Sequence, residues 1–436
     1  MKASFENCIR CTICVGNCPV FKVNPEYPGP KQAGPDAERF RLDGIETVDK
    51  WITHCTQCKR CDYSCPHGVD PSKLILKAQI RYVSRHRKTL PQLLFSNFHY
   101  IARLGSLFAI ITNFITSLGI IRKVFKLIGL RSDIPFPKFR FKTLQRFKKK
   151  TEKTAYPNES LITEWEEDSE SIRQPADEKQ ENHLPVDRIK INKPKERKAA
   201  FFHGCYLNSN APDEGRMIIA VLKHFGIQVA VPDQVCCGLP ALGNGDLVKA
   251  KGFAKKNSKE LIKYITEGWD ILYSCTSCGH TLIYDYPELL DTGEGDLIAQ
   301  NTWNLYEYLL LLSQQGEIKF DFKEINKVIS YHIPCHLRGR GVPYPALNIF
   351  NRIPKIKIHV QDENCCGFSG SYGFKEKNKE TTDSLGKIAV DSLMLPNPDM
   401  IISDCGACRM QISNFTDTKI IDPIQVLYDA LGLSDS

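Results

Sequence analysis

Eighteen cysteines, every one of them in a short cluster, constrain this chain more than any other feature of its sequence. The N-terminal residues, MKASFENC, include no apolar stretch typical of a secretory signal, so we expect the protein to stay in the reducing cytoplasm. Cysteines in that compartment seldom form disulfides. Clusters of them in a chain of 436 residues, long enough for two or three hydrophobic cores, indicate metal ligands or catalytic thiols.

Two runs share the spacing C-x2-C-x2-C-x3-C-P, namely CIRCTICVGNCP at 8–19 and CTQCKRCDYSCP at 55–66. In bacterial two-cluster ferredoxins with this spacing, the fourth cysteine of each run ligates the other cluster. We therefore predict two cubane [4Fe-4S] clusters with crossed ligands. The first ligand set is Cys8, Cys11, Cys14 and Cys65, and the second is Cys55, Cys58, Cys61 and Cys18. Zinc is the alternative, but two identical four-cysteine runs ending in proline disfavour it.

The 36 residues between Cys18 and Cys55 are too many and too helix-prone for the small β-rich ferredoxin fold, so a helical ferredoxin domain is predicted. After the second run, SKLILKAQIRYVSRHR has a helical period. This pattern puts Leu74, Ile75, Ala78 and Tyr82 on one face, and we expect that face to pack over the second cluster.

Positive charge is concentrated near the N-terminus. Residues 1–150 contain 27 Lys and Arg against 10 Asp and Glu, whereas the rest of the chain contains 31 against 40. Such an excess indicates either an anionic partner or a solvated basic face.

An uncharged stretch, LGSLFAIITNFITSLGII at 104–121, lies inside this basic region. Its length is the lower limit for a membrane-spanning helix, and polar side chains interrupt it. Apolar residues at helical spacing beside many cations are typical of a helix lying in a membrane interface. A helix buried against a partner subunit is the alternative, and no motif indicates nucleic-acid binding.

The chain repeats itself after residue 198. Each copy has a single cysteine, a Cys-Cys-Gly motif and a C-x2-C motif, with gaps of 31 and 38 residues in the first copy and 30 and 39 in the second. The ten cysteines are Cys205, Cys236, Cys237, Cys275, Cys278, Cys335, Cys365, Cys366, Cys405 and Cys408. Short apolar runs precede each group, and helical patterns lie between them, which predicts a parallel α/β sheet in each copy. The cysteines of each copy should then meet at the carboxyl edge of its sheet.

Adjacent cysteines can serve two metals of one multinuclear centre only where the backbone turns sharply. Gly238 and Gly367 allow that turn and a close approach of the main chain to a cluster. Five cysteines are one too many for a mononuclear zinc site, while dithiol redox chemistry remains the main rival. His203, His332 and His336 lie near Cys205 or Cys335 and are assigned supporting roles around the ligands.

These features predict an α+β multidomain protein, with an all-α helical ferredoxin domain followed by two parallel α/β cysteine-rich repeats. Residues 151–198 are rich in charge and poor in apolar side chains, so a flexible linker is expected there. The predicted boundaries are 1–90 for the ferredoxin domain, 91–150 for the basic membrane or partner segment, 151–198 for the linker, 199–329 for the first repeat and 330–436 for the second.

The motifs SFENCIRCTICVGNCP, CKRCDYSCP, FFHGC, CCGLP, YHIPCH and CCGFSGSYGFK resemble those of the iron–sulfur, cysteine-rich subunit family of anaerobic glycerol-3-phosphate dehydrogenases. More broadly, the chain resembles cysteine-rich-domain proteins that include heterodisulfide reductase and the iron–sulfur subunits of glycolate and lactate oxidation. The heterodisulfide reductase resemblance implies that each five-cysteine motif can hold a further, noncubane [4Fe-4S] cluster.

The resemblance also implies a role in glycerol metabolism and anaerobic respiration. In that role the protein takes electrons from flavin-containing dehydrogenase subunits, passes them to menaquinone and anchors the complex peripherally on the cytoplasmic face of the inner membrane. The sequence has no G-x-G-x-x-G fingerprint opening a helix, which agrees with a non-catalytic carrier. A thiol/disulfide reductase subunit, a glycolate or lactate oxidation subunit and a zinc or scaffold protein are the alternatives.

Overall fold

The computed structural model describes residues 5–45, 47–134, 136–151, 196–340, 344–361 and 363–435. The predicted linker at 151–198 therefore lies almost wholly outside the described residues.

Helices make up the regular secondary structure of the described residues before 152, apart from one isolated β-bridge at Leu130. The α-helices are α1 Ile13–Gly16, α2 Pro19–Val23, α3 Ala37–Leu42, α4 Arg60–Tyr63, α5 Pro71–Arg85, α6 Leu90–Ser96, α7 Phe98–Leu107, α8 Ala109–Ser117, α9 Gly119–Leu127 and α10 Leu144–Thr151. A π-helical turn at Gln32–Asp36 and 3-10 turns at Phe5–Asn7 and Thr47–His54 complete this part. The prediction of a helical ferredoxin domain is thus confirmed.

Helix α5 is the long helix of the ferredoxin domain, and Pro71 begins it at a position where no N–H is needed. Leu74, Ile75 and Ala78 are buried as expected. Tyr82 is not: its side chain is 42% exposed and stacks on His86 one turn later, with ring centroids 4.0 Å apart. The prediction for Tyr82 is wrong because the ring reaches past the packed face to the rim of a cavity.

Two parallel four-stranded sheets form the C-terminal half. The first contains β1 Lys198–Phe201, β2 Gln228–Ala230, β3 Asp270–Tyr273 and β4 Thr302–Asn304, and the second contains β5 Val328–His332, β6 Lys357–Gln361, β7 Met400–Ile402 and β8 Ile420–Ile421. Their strand orders, β2-β1-β3-β4 and β6-β5-β7-β8, are the same order repeated. The prediction of two parallel α/β units is therefore confirmed.

Helices connect the parallel strands, as parallel pairing requires. In the first repeat they are α11 Gly204–Ser209, α12 Pro212–His224, α13 Leu239–Leu242, α14 Leu247–Thr266, α15 Thr276–His280, α16 Tyr286–Leu289, α17 Glu294–Gln300 and α18 Leu305–Gln314. In the second they are α19 Cys335–Arg338, α20 Pro345–Phe350, α21 Lys379–Met394, α22 Gly406–Ile412 and α23 Pro423–Ala430. A π-helical turn lies at Thr281–Asp285, and 3-10 turns lie at Glu376–Asn378 and Leu433–Asp435.

One hydrophobic core joins the two repeats. Phe201 and Leu272 of the first sheet belong to the same buried cluster as Ile329 and Tyr331 of the second. Two ion pairs with little solvent exposure also cross between the repeats: Arg340 Nη1 lies 2.7 Å from Glu307 Oε2, and Arg409 Nη2 lies 2.6 Å from Glu214 Oε2. The two repeats therefore pack against each other as one unit and are not spatially separate.

The apolar stretch at 104–121 is helical, but it is not one helix. Chain direction changes at Phe108 and again at Leu118, whose ψ of 129° is extended. Thr116 and Ser117 donate side-chain hydrogen bonds to carbonyl oxygens three or four residues earlier, and Gly119 has low helix propensity. These local preferences end the helix where the apolar pattern alone predicts continuation.

Among the described residues, no single helix has the length and apolar character to cross a membrane. Taken together, α7 and α8 reach that length and composition, but they are bent by 108°.

Candidate metal centres and a shared cavity

The two ferredoxin-type runs adopt the same turn around their second cysteine. Arg10 and Thr12, on either side of Cys11, have φ values of 62° and 65°. Gln57 and Lys59, on either side of Cys58, have φ values of 55° and 66°. Left-handed backbone at a non-glycine residue costs about 1 kcal/mol or more. Because four such residues occur at the same positions of both runs, we infer that the turn has a function. Sequence reasoning missed these residues, since none is glycine.

The structure groups the fourth cysteine of each run with the other run. Cys8, Cys11, Cys14 and Cys65 line one small cavity. Burial raises the pKa of Cys14 to about 11, and the neighbouring Cys8, Cys65 and Cys11 add to that effect. Burial also raises the pKa of Cys18 to about 12, with Cys58 as the next cause. Burial raises the pKa of Cys55 too, and Cys58 and Cys18 act on it in the same direction.

In both repeats the cysteines follow the carboxyl ends of the strands. Cys205 and Cys275 come after β1 and β3, and Cys335 and Cys405 come after β5 and β7. The Cys236 Sγ atom lies 3.9 Å from Cys205 Sγ. In the second repeat, the Cys366 Sγ atom lies 3.2 Å from Cys408 Sγ.

The second cysteine of each pair has the lower thiol pKa. Hydrogen bonds with Cys236 and then Cys278 hold the pKa of Cys237 well below its usual range. Hydrogen bonds with Cys365 and then Cys408 do the same for Cys366. Each pair therefore presents one thiol that readily becomes the thiolate that metals bind.

Gly238 and Gly367 have φ values of 104° and 78°, so both turns need glycine. A Cβ on Gly367 would lie 2.7 Å from Leu385 Cβ and 3.0 Å from Thr382 O, both in α21. The close approach of this glycine is thus to a helix and not to the cysteines. Gly204 is a site residue that sequence reasoning missed: its φ is 64°, and a Cβ there would lie 2.6 Å from Cys278 Sγ. The glycine directly before Cys205, in the HGC motif, is the sequence feature that could have indicated this close approach.

The predicted histidines lie in three different surroundings. A ring nitrogen of His332 and the Sγ atoms of Cys366 and Cys408 all lie within 4.8 Å of one another. His203 is buried, and its Nδ1 lies 2.6 Å from Gly204 O. The strand registers show which residues of the two repeats are equivalent: Ala200 pairs with Ile271 in the first, and Ser330 pairs with Ile401 in the second. Two residues further along, Phe202 of the first repeat is therefore equivalent to His332 of the second.

His336 stacks on His280, with ring centroids 4.7 Å apart, and its Nδ1 lies 3.1 Å from Ser277 Oγ. Burial and the charge of Lys59 lower the pKa of His336 to about 4. His280 was missed by sequence reasoning, although it follows the C-x2-C motif of the first repeat directly. The two rings bring the sites of the two repeats into contact.

Buried polar groups hold the backbone of the first cysteine pair. Asn257 Nδ2 donates to Cys236 O at 3.0 Å, and the Tyr286 hydroxyl donates to Cys237 O at 3.1 Å. Asn257 Oδ1 also accepts from Val235 N at 2.9 Å. Because all of these groups are buried and partnered, the pair is rigidly placed.

A cavity of about 1090 Å³ connects the second ferredoxin-type set with both repeats. The cysteines that line it are Cys55, Cys58, Cys205, Cys237, Cys275, Cys278, Cys335, Cys365, Cys366, Cys405 and Cys408. Cys58 lies near enough to raise the pKa of both Cys335 and Cys365, after burial and, for Cys365, its hydrogen bond with Cys366. The second ferredoxin-type set is therefore next to the five cysteines of the second repeat.

The donor atoms fit iron–sulfur clusters. Each ferredoxin-type set offers four thiols, and each repeat offers five, which is the ligand chemistry that clusters require. Burial holds several of these thiols above their usual pKa, so they stay protonated until a bound cation offsets the charge.

Comparison with known families agrees with this chemistry. Residues 4–69 match the family described as the 4Fe-4S dicluster domain. Residues 199–283 and 329–413 each match the family described as the cysteine-rich domain. The chain therefore binds iron–sulfur clusters through its N-terminal domain and contains two cysteine-rich domains.

Three relatives are informative, and each is one subunit of a larger enzyme. The chain is 31% identical to a subunit of the anaerobic glycerol-3-phosphate dehydrogenase of Escherichia coli K12, over 98% of this chain and 99% of that protein. It is 27% identical to a subunit of the fumarate reductase (CoM/CoB) of Methanothermobacter marburgensis, over 97% and 70%. It is 29% identical to a subunit of the dihydromethanophenazine:CoB–CoM heterodisulfide reductase of Methanosarcina barkeri, over 54% and 59%. By its identity to the first of these over nearly its whole length, the chain belongs to the family of that anaerobic glycerol-3-phosphate dehydrogenase subunit.

Proposed function

We propose that the protein is the iron–sulfur electron-transfer and membrane-anchoring subunit of an anaerobic glycerol-3-phosphate dehydrogenase. It takes electrons from flavin-containing partner subunits and passes them to menaquinone at the cytoplasmic face of the inner membrane. The observation that carries the proposal is the series of cysteine sites, from a first set in which Cys11 is exposed, through a second set, to the cavity shared by the two repeats.

The first ferredoxin-type set is suited to receive electrons. Cys11 is exposed, and the apolar residues Ile9 and Ile13 on either side of it are exposed as well. Exposed apolar residues next to a redox site are typical of a surface that a partner covers. This supports the docking of a flavin-containing subunit there.

We assign Cys8, Cys11, Cys14 and Cys65 to one cubane [4Fe-4S] cluster and Cys18, Cys55, Cys58 and Cys61 to the other. The five cysteines of each repeat are assigned to one or two further, noncubane clusters, with the histidines and glycines named above supporting them. When bound, such clusters supply one-electron redox chemistry. The chain contributes their order, their burial and the hydrogen bonds around the thiols, which set the potentials.

The segment containing α8 and α9 supports the membrane role. Ile110, Phe114, Ile120 and Leu127 are exposed apolar residues of these helices, and α9 has no buried residue. Arg122, Lys123 and Lys126 lie on the same segment. Apolar side chains flanked by cations suit an anionic lipid surface, where both insertion and charge attraction contribute.

The experiment that tests the function is a spectroscopic one. Glycerol 3-phosphate added to the purified protein alone should leave its visible absorbance unchanged, because the oxidising site is on the partner. Adding the flavin-containing subunits should then bleach the absorbance as the clusters are reduced. Bleaching by the substrate without the partner, or no bleaching with it, would contradict the proposal.

A thiol/disulfide reductase subunit is the second candidate. Both cysteine groups of the repeats open into one cavity, as a disulfide substrate would require, and one relative is a heterodisulfide reductase subunit. Reduction of disulfide substrates by the dithionite-reduced protein, at a rate similar to that of quinone reduction, would favour this candidate.

A further inference from the structure

The loops that follow the two Cys-Cys-Gly motifs meet on the cavity wall. Asn244, from the loop after the first motif, donates through Nδ2 to Ser371 Oγ at 2.8 Å. Lys375, after the second motif, donates through Nζ to Asn244 Oδ1 at 2.7 Å. All three side chains line the cavity, although 127 to 131 residues separate the partners along the chain.

Lys375 is a half-buried cation that faces the cavity without a counter-ion. Among the described residues, no carboxylate lies within ion-pair distance of its Nζ atom. Burial, followed by the charge of Lys377, lowers its pKa to about 8. A cation held in this way is a ready hydrogen-bond donor for an oxygen atom of a ligand.

The wall around Lys375 is aromatic and apolar. Phe374 stacks on Phe95 at 5.4 Å and on Phe136 at 5.1 Å, and Phe368 meets it edge-on at 4.8 Å. A backbone contact ties this wall to residues 91–150, here called the membrane-type segment, since Arg131 N donates to Phe374 O at 2.8 Å. Flat apolar molecules pack well against the edge or face of such a ring cluster.

The cavity reaches the exposed apolar helix α9. Leu127, at the end of α9, lines the cavity and is also 86% exposed. Ile128 and Gly129 follow it along the cavity rim. The outer apolar surface and the cavity wall are therefore continuous, and a lipid-soluble molecule has an apolar path from one to the other.

We propose that this outer part of the cavity binds the head group of a lipophilic quinone, with the Lys375 ammonium donating a hydrogen bond to one of its carbonyl oxygens. Asn244 and Ser371 fix the direction of the ammonium, and the aromatic wall holds the ring. The inference rests on the proposed function, which supplies the acceptor class, and adds the site and its residues.

The geometry also suits the reaction at the head group. Cys365, Cys366 and Cys405 line the same cavity, so electrons can arrive from the inner side while the quinone enters from the outer side. Reduction of a quinone to a quinol takes two electrons, which arrive singly from the cysteine sites, and two protons, which water supplies. A fixed cation stabilises the negative charge that builds on a quinone oxygen before that oxygen is protonated.

The test is a binding titration on the full-length protein assembled with its flavin-containing subunits. The probe is 2-heptyl-4-hydroxyquinoline N-oxide, a quinone analogue whose fluorescence is quenched on binding. We expect Lys375→Met to weaken binding about tenfold, because one charge-assisted hydrogen bond is lost. Lys375→Arg should keep most of the affinity. The matched control is Lys387→Met, which removes an exposed lysine of α21 and should leave the affinity unchanged.

Equal affinity in the Lys375→Met and Lys387→Met proteins would overturn the site. The same preparations report separately on the proposed function, through bleaching of the visible absorbance by glycerol 3-phosphate. Bleaching without specific probe binding means that the site is wrong and the function stands. Absence of bleaching in the unmodified assembly means that the function itself is wrong. Thermal melting of each variant shows whether the fold is kept.

Discussion

The two cysteine-rich repeats have the same cysteine spacing and the same strand order, but different neighbours around their cysteine pairs. In the first repeat, Asn257 and Tyr286 hold the backbone of the pair. In the second, His332 lies beside Cys366, where the first repeat has Phe202. Duplication has kept the ligands while the surrounding residues have diverged.

The repeats also differ in what they contact. The second repeat lies next to Cys58 of the ferredoxin domain, and its core includes Phe95 and Leu130 of the membrane-type segment. The core around the first cysteine pair contains buried residues of its own repeat, such as Leu282 and Tyr286, and Leu76 and Ile80 of α5 pack against it. Because Cys58 lies near Cys335 and Cys365, we expect the proposed electron path to run mainly through the second repeat.

The most direct test of the difference between the repeats is to replace one cysteine in each Cys-Cys pair. We expect Cys366→Ser to slow quinone reduction by more than about 100-fold, since loss of a ligand exceeds the 10- to 100-fold cost of losing a supporting residue. Cys237→Ser should have a smaller effect. Substrate oxidation with an artificial acceptor should be unchanged in both. Equal rates of quinone reduction in the two variants would show that the repeats contribute alike.

The supply of electrons to the second repeat can be tested at Cys18. If the ligands cross between the ferredoxin-type runs, Cys18→Ser damages the site of Cys55, Cys58 and Cys61 and leaves the first site intact. Electron paramagnetic resonance should then show one of the two cubane signals lost, and quinone reduction should fall by about 100-fold or less. Loss of the signal from the Cys8, Cys11 and Cys14 site instead would mean that the ligands are not crossed.

The glycines after the two pairs should differ in stability cost. Gly238→Ala places a methyl group 3.3 Å from Ala250 O, so the left-handed backbone is the main cost, at about 1–2 kcal/mol. Gly367→Ala adds a collision with Leu385 Cβ at 2.7 Å, and we expect a loss of about 3 kcal/mol or more. Thermal unfolding of the two variants measures the difference, and the reverse order would contradict the packing described for α21.

His332 tests whether the residue beside the second pair matters. We expect His332→Leu to reduce iron retention by the second repeat about tenfold, because it removes a polar neighbour of Cys366 and Cys408. The matched change Phe202→Leu in the first repeat should leave iron content unaltered. Iron and sulfide analysis after anaerobic purification provides the measurement, and equal retention would reduce His332 to a packing residue.

The smallest effect is expected at single surface charges. Lys123→Gln, on the segment that packs beside the second repeat, should weaken binding to anionic vesicles about fivefold, from a loss of about 1 kcal/mol. Lys255→Gln, on α14 of the first repeat, is the matched control and should change nothing. Vesicle sedimentation at low and high salt distinguishes the two, and similar losses would indicate that charge acts without regard to position.

Local sequence patterns predicted much of the fold. The strands were predicted because a short apolar run precedes each cysteine group, and the runs recur at matching intervals. The break at Leu118 was not predicted, since side-chain hydrogen bonds and Gly119 outweigh the apolar pattern there, and the break at Phe108 has no counterpart in the local sequence pattern. Tyr82 was misplaced because its exposure depends on a cavity that residues far along the chain create.

The candidate sites were also predicted from the sequence only in part. Cysteine spacing indicated the ligand groups, whereas the left-handed Arg10 and Lys59 carry no sequence signal, because neither is a residue type that favours such backbone. The stacking of His280 on His336 and the bond from Lys375 to Asn244 join different repeats. Contacts of this kind depend on how the repeats pack and are not visible in the periodicity of either one.

The ion pair between Arg409 and Glu214 has a consequence for how the chain can evolve. Each repeat contributes one partner, and Arg409 directly follows the ligand-motif residue Cys408. A shortened descendant that lost the first repeat would keep the pair of Arg409 with Asp422, but it would lose the pair with Glu214 and expose the shared core. Because the two copies share one core, loss of either copy would destabilise the one that remains. The protein therefore cannot become smaller by deleting a repeat, whichever copy has the electron-transfer role.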